Sequence, residues 1–461
     1  MLKLTKRFQK LIFLVTFVLI IGTISYNYNV HKSIDIELAV DKLKNSSRYQ
    51  DIRHFYQEIL NNYKSGTSSQ PYNSQIVTNE DGTINIDQSL KSLPKSKINP
   101  KEILRQNVEL FDQVMQQPIT EPTGLPISRI NDPDYVKVNA AFVSLVRNSE
   151  LRGIQSTIKQ IESTFNKKYN YPYVFLNDKP FSDRFKKGIA QVTKSEVFYE
   201  LVPPEVWDKP DFIDPEKEEE GIKYLEEKGV GYSKKISYHN MCRYYSMGFY
   251  NHPRMKQFKY YWRLEPKTNY FCDIDYDVFK FMQDNKKVYG YVLNLYDSPD
   301  SVRSLWPVTK EFLKKNPQYL NKNAALGWLK ENQLNPEQTK IANGYSTCHF
   351  WSNFEIGDMD FYRSEAYTKW MEHLEANGGF YYERWGDAPV HSMGLALFAD
   401  KEQIHWFRDI GYEHMPYANC PMSEKCVGCK KGQFSRFKNL NNQNCQPAWL
   451  LEMSDEWLNV Y

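Results

Sequence analysis

The chain predicts an α/β domain built on a parallel sheet, standing behind an N-terminal membrane anchor and a polar stem. Three observations carry this reading. A strand, helix and strand follow one another from residue 138; an uncharged apolar run fills residues 11–26; and all seven cysteines fall in the second half of the chain. With 461 residues there is length enough to bury a large core.

Lys3, Lys6, Arg7 and Lys10 precede the run LIFLVTFVLIIGTISY. A spanning helix needs about 20 residues, so this run suits a thin bilayer with its flanking residues snorkelling. Residues 1–10 then stay cytosolic and everything beyond 26 is luminal, the type II orientation. No small-x-small cleavage site follows, which favours a signal anchor over a cleaved peptide. Residues 27–117 read as a luminal stem rich in Asn, Ser, Lys and Gln, with some helical spacing at 36–60 and none sustained at 65–96. Asn45-Ser46-Ser47 is a glycosylation sequon on the luminal side. The globular domain takes residues 118–461.

In NAAFVSLVRNSEL, residues 140–146 read as a buried strand, and a helix is expected over 151–165. YPYVFLND, residues 171–178, is a second strand. Such a succession within roughly 40 residues is a βαβ unit, whose sheet binds nucleotides at the carboxyl ends of its strands. Arg147 and Asp178 fall at those ends, and no Gly-rich dinucleotide fingerprint accompanies them, which disfavours NAD. DPEKEEEGIKYLEE, residues 214–227, is a solvated helix with Asp214 as N-cap and Pro215 at its first position. The 59 basic and 56 acidic residues are too balanced for a protein that lives on phosphate contacts to nucleic acid. Aromatic residues, 15% of the chain, offer faces for sugars or bases as well as core filling.

Carboxylates follow in clusters. In WRLEPKTNYFCDIDYD, residues 262–277, an extended strand would turn Asp273, Asp275 and Asp277 to one face, where they could converge on a divalent cation. Glu265, fixed at a turn by Pro266, competes with them. Residues 348–379 set His349, Asn353, Glu355, Asp358 and Asp360 before a helix with apolar positions Phe361, Ala366, Trp370 and Leu374, ended by Gly378 and Gly379. A carboxylate among aromatics at a helix entry is partly desolvated and suits a reaction centre. Residues 380–398 place Glu383, Arg384, Asp387 and His391 around the turn into another apolar helix, where Asp387 reads as a cap. Cys242, Cys272, Cys348, Cys420, Cys426, Cys429 and Cys445 leave one thiol over if they pair. The last four also have the look of a thiolate zinc site, but irregular spacing and a luminal location favour disulfides.

The strings NAAFVSLVRNSEL, VFLNDKPF, YHNMCRYYS, YYWRLEP, CDIDYD, CHFWSNFEIGDMDFYRSEAY, GGFYYERWGDAPVHS and GYEHMPYANCP, in unbroken order within residues 132–433, resemble the fungal α-1,2-mannosyltransferases of glycosyltransferase family 15. The resemblance implies a nucleotide-sugar-binding, glycosyltransferase A-like (Rossmann-like) catalytic domain. It also implies transfer of mannose from GDP-mannose, with retention of configuration, to mannose of O-linked or N-linked glycans. Mn²⁺ is the expected cofactor; a mannosylated glycoprotein acceptor and the Golgi membrane are the expected partners. The resemblance puts the metal on Glu265 and His414 and leaves Asp273, Asp275 and Asp277 as structural neighbours of Cys272. A carboxylate and an imidazole suit Mn²⁺, with diphosphate and water completing the shell. Glu355 matches the family's candidate nucleophile, Asp387 a residue near the acceptor or reacting sugar, and Tyr238 a tyrosine near the donor. Lys267 stands where the family usually has Asp; it either faces solvent or reaches the diphosphate as a fixed positive charge. Retention by double displacement or by front-face return would equally need a carboxylate facing the anomeric carbon. Two other classes compete. A lectin-like protein would not need the acid set kept here, and transfer of mannose phosphate from the same donor is left open by Lys267.

Overall fold

The computed structural model describes residues 76–90, 100–330, 336–453 and 460–461. The expected cytosolic tail, anchor, Asn45 and most of the stem lie outside them. Among the described residues no helix is long and apolar enough to cross a membrane.

The βαβ unit forms as expected. Strand β1 (Ala140–Leu145) is buried on both faces, as an apolar run in a covered parallel strand should be. The helix Leu151–Ile161 leads to β2 (Tyr173–Asn177), which pairs parallel to β1 with Phe142 opposite Tyr173. The helix expected to 165 instead widens into a π turn at Glu162–Asn166. That turn seats the buried Asn166 amide against the Tyr171 carbonyl at 2.9 Å and the Tyr173 hydroxyl at 3.1 Å.

The remaining strands are β3 (Val197–Leu201), β4 (Tyr260–Arg263), β5 (Asn269–Tyr270), β6 (Tyr289–Tyr291), β7 (Asn294–Tyr296), β8 (Cys348–Phe350), β9 (Ile356–Asp358), β10 (Ile404–Trp406), β11 (Tyr412–His414) and β12 (Tyr417–Asn419). The main sheet has seven strands in the order β10-β6-β9-β4-β1-β2-β3. It is mixed rather than all parallel, because β9 runs against both β4 and β6. The reversal has a consequence for chemistry: the residue entering β9, Glu355, lies beside the residue ending β4, and the Arg263 N–H donates to the Glu355 carbonyl at 2.8 Å. β5, β11 and β12 make a small antiparallel sheet that brings His414 back toward the turn after β4.

Most of the aromatic content is core. Phe142, Phe165 and Trp262 pack with ring centroids 5.4–6.3 Å apart, and Trp306, Trp328, Trp370, Trp385 and Trp449 are also fully buried. Within the segment read as stem, Pro100–Met115 is helical and buries Leu110, Phe111, Val114 and Met115, packing against the helix Gln446–Glu452. Asp214 caps its helix as expected, accepting from the amides of Glu216 and Lys217. The helix expected through Phe361 and Leu374 is split into Met359–Tyr362 and Glu365–Asn377, because Ser364 caps the second piece. Gly378, in the left-handed region, ends it; Gly379 begins the next short helix instead of sharing that role.

The three aspartates do not converge on a cation site. Lys168 bridges Asp273 and Asp275 at 2.7 Å each, and Lys425 reaches Asp275 at 2.8 Å. Asp277 caps the helix Val278–Asp284 and accepts the hydroxyls of Tyr135 and Tyr171, both at 2.6 Å. Six cysteines pair as Cys272–Cys426, Cys348–Cys445 and Cys420–Cys429, which dissolves the thiolate zinc alternative, and Cys242 is the buried thiol left over.

Candidate active site

The chain runs outward from β1 through β2 to β3 and returns on the other side of β1 as β4. The connections leaving β1 and β4 therefore diverge, which opens a crevice at their carboxyl ends. A cleft of about 600 Å³ occupies it. Arg147 after β1, Asp178 after β2, Glu265 after β4, Tyr238 on the helix Ile236–Met247, Asp387 at the head of the helix Asp387–Phe398 and His414 at the end of β11 all line this one cavity. Residues read from separate strings are thus gathered by the fold.

Two candidates are not among the lining residues. Lys267 is exposed; its backbone has φ +67° and donates its N–H to the Gly153 carbonyl at 3.2 Å. A Cβ on Gly153 would stand 3.0 Å from both Lys267 Cγ and Pro266 Cβ, so glycine lets this turn lie against its helix. Glu355 is fully buried and has no surface in the cleft. Its Oε2 accepts from the Tyr289 hydroxyl at 3.1 Å and lies 3.0 Å from His391 Nδ1. Its Oε1 has no hydrogen-bond partner and lies 3.6 Å from Arg263 Nη1.

Arg263 organises the cleft floor. Its Nη1 donates to Asp387 Oδ2 at 2.5 Å, its Nε to Glu265 Oε1 at 2.8 Å, and its guanidinium lies 3.5 Å over the Tyr245 ring. One guanidinium therefore faces three carboxylates, with His391 behind Glu355 as the next base. Burial opposes ionisation of Asp387, but Arg263 and then His391 outweigh it and hold the carboxyl below its ordinary range. Burial pushes Glu265 up against the pull of Arg263. Asp387 is not the cap the local sequence suggests: Gly386 is the N-cap, and the Asp387 side chain turns to Arg263 and to the Ser352 hydroxyl at 2.7 Å. A charged donor wins over backbone amides.

On the opposite wall Tyr238 stacks on Tyr232, with centroids 4.8 Å apart and planes 9° apart, and accepts from Arg384 Nη1 at 3.1 Å. Arg384 is buried and lies 3.8 Å from Asp297. His414 packs edge-on to Trp351, and burial followed by the charge of Arg263 lowers its pKa, which favours the neutral ring. Its Nδ1 is buried without a hydrogen-bond partner.

Arg263, Asp297 and Ser352 are not singled out by the sequence, and Arg384 is marked only as a neighbour of the turn before Asp387. The signal for Arg263 is present, since an arginine inside the otherwise apolar string YYWRL, where no solvent reaches, needs buried anions. Asp297 and Ser352 carry no comparable signal, because their partners lie 87 and 35 residues away in the chain.

A family model described as glycolipid 2-alpha-mannosyltransferase matches residues 78–454. The probable mannosyltransferase KTR4 of Saccharomyces cerevisiae is 44% identical over 97% of this chain and 95% of its own length. The X-ray structure of the S. cerevisiae mannosyltransferase Ktr4p in complex with GDP has a TM-score of 0.80 and 48% identity, covering 82% of this chain and 98% of that one. The Mn/GDP form of core-mannan synthase A from Aspergillus fumigatus has a TM-score of 0.70 and 51% identity, over 73% of this chain and 93% of that one. Matched across nearly all of its described residues, this chain belongs to the glycolipid 2-alpha-mannosyltransferase family.

Proposed function

We propose that this protein transfers mannose from GDP-mannose to mannose residues of O-linked or N-linked glycans, forming an α-1,2 linkage with retention of configuration. It would act in the Golgi lumen as a type II membrane protein, with Mn²⁺ as cofactor. The observation that carries this reading is the gathering of Glu265, His414 and Asp387 in one cleft, in a fold that matches 98% of a GDP-bound relative.

The donor set suits the metal. His414 Nδ1 is a buried, unpartnered nitrogen, and Glu265 supplies carboxylate oxygen in the same cleft. Among the described residues no group of three or more His, Cys, Asp or Glu is placed to hold an ion, so donor oxygens and water would complete the shell. When bound, Mn²⁺ would neutralise charge on the departing GDP. Arg147 at the rim and Arg384 in the wall offer positive charge to the diphosphate, and Asp178 offers an acceptor for the donor's hydroxyl or amino hydrogens. Asp387 is the carboxylate that faces the reacting sugar, held by Arg263 and Ser352, and it stabilises positive charge developing at the anomeric carbon. Tyr238 presents its hydroxyl beside Arg384 at the same cavity. Glu355 acts from behind, through Arg263.

The test is an incubation of purified protein with GDP-mannose, Mn²⁺ and a panel of α-mannosides, with product mass and linkage determined. An α-1,2-linked mannose is expected. A product heavier by a phosphate, or no product with any mannoside, would overturn the reading. Lys267, which kept phosphate transfer open, lies outside the cleft lining.

A further inference from the structure

The cleft floor rests on a buried polar layer that contains, beside Glu355, a histidine with no part in the proposed chemistry. His391, on the second turn of the helix Asp387–Phe398, has no exposed surface. Its Nε2 lies 2.9 Å from the Tyr245 carbonyl oxygen and its Nδ1 3.0 Å from Glu355 Oε2. A carbonyl only accepts, so Nε2 carries a hydrogen. At Nδ1 the partner is a carboxylate oxygen that already takes the Tyr289 hydroxyl, so one more proton sits either on the ring or on Glu355.

The surroundings favour the ring. The groups packed on the pair are Arg263, the phenols of Tyr261, Tyr289 and Tyr362, and the ring of Phe249. Asp387 faces it across Arg263. Burial disfavours the imidazolium, but the charges of Glu355 and then Asp387 outweigh it and raise the His391 pKa above its ordinary value. The second partner matters too, because the Tyr245 ring is the surface on which Arg263 lies.

We propose that His391 is a positioning residue for transfer: a buried imidazolium that, through Glu355 and Tyr245, sets the Arg263 guanidinium that holds Asp387 in the cleft. The inference rests on the mannosyl-transfer reading.

The test compares kcat against pH, with GDP-mannose and Mn²⁺, for the full chain, His391→Gln and His391→Gln/Glu355→Gln. In His391→Gln, kcat should fall on the order of tenfold near neutral pH while GDP affinity stays within about twofold. Its profile should gain a limb absent from wild type, and the double variant should lose that limb. A loss uniform across pH, or a limb that survives in the double variant, overturns the proposal. If His391→Gln does not fold, nitrogen NMR of histidine-labelled wild type decides: both His391 ring nitrogens protonated supports the proposal, and one bare nitrogen overturns it. Wild type that transfers no mannose would sink the functional reading instead, and the NMR result would still judge the proton's place.

Discussion

Arg263 is the residue on which the cleft depends, because it ion-pairs with both Glu265 and Asp387 while stacking on Tyr245. Removing one partner of a buried ionic cluster costs about 3–5 kcal/mol, since the others are left uncompensated. Arg263→Ala should therefore lower both stability and transfer steeply, and Arg263→Lys should rescue little, because an ammonium is no planar fork. Near-normal kcat in Arg263→Lys would contradict this. Lys267 is the contrasting case: exposed and outside the cleft lining, it should change GDP affinity by less than about twofold when replaced by alanine, as isothermal titration would read. A third residue concerns pH. Burial raises the Asp409 pKa to about 6, against hydrogen bonds from Tyr461 at 2.5 Å and Tyr276 at 2.9 Å. A raised acid binds its proton more tightly when folded, so its contribution is full below the unfolded value near 4 and is lost as pH rises through about 6, on the order of 3 kcal/mol. Denaturant midpoints measured from pH 4 to 7 should fall less in Asp409→Asn than in wild type. Equal slopes would show that Asp409 does not titrate there.

At the scale of elements, close approach decides placement. Gly221 lies on the helix Pro215–Glu227 where a Cβ would stand 2.0 Å from the Tyr382 carbonyl oxygen, so helix and backbone meet with no side chain between them. Gly221→Ala should force the helix outward at a cost of about 1–3 kcal/mol, lowering the melting temperature. The next residues in chain order are Glu383 and Arg384, so transfer should fall with stability; a variant as stable as wild type would mean that the helix shifts freely. Elements were legible where local chemistry sets them. The βαβ unit follows from two apolar runs and a helical period, and the Asp214 cap from a side chain that reaches its own amides. The split at Ser364 was also written locally, in a serine that caps a new helix, but the longer apolar period masked it. The helix Pro100–Met115 shows why a polar average misleads: Leu110, Phe111, Val114 and Met115 are buried by partners far along the chain, the helix Gln446–Glu452 with Trp406 and Phe434.

At the scale of the molecule, the candidate metal pair comes from two sheets, Glu265 from the turn after β4 and His414 from the end of β11. Either Glu265→Ala or His414→Ala should raise the Mn²⁺ concentration that supports transfer, while Asp275→Ala, which breaks only the pairs with Lys168 and Lys425, should not. A Mn²⁺ titration of activity separates them, and an unchanged requirement in His414→Ala would remove it from the metal. What the sequence determined by itself is the chemistry available and the frame that carries it: strand ends bearing Arg147 and Asp178, and strings bearing Glu265, Glu355, Asp387, Tyr238 and His414. Only the tertiary structure decided which of these meet. The reversed β9 sets Glu355 under Arg263 and away from the cleft, Arg263 draws Asp387 out of a capping role, and Lys168 with Lys425 takes up Asp275. The reason is physical: propensities and caps act over a few residues, whereas a side chain's partner is set by strand pairing and burial between segments about a hundred residues apart.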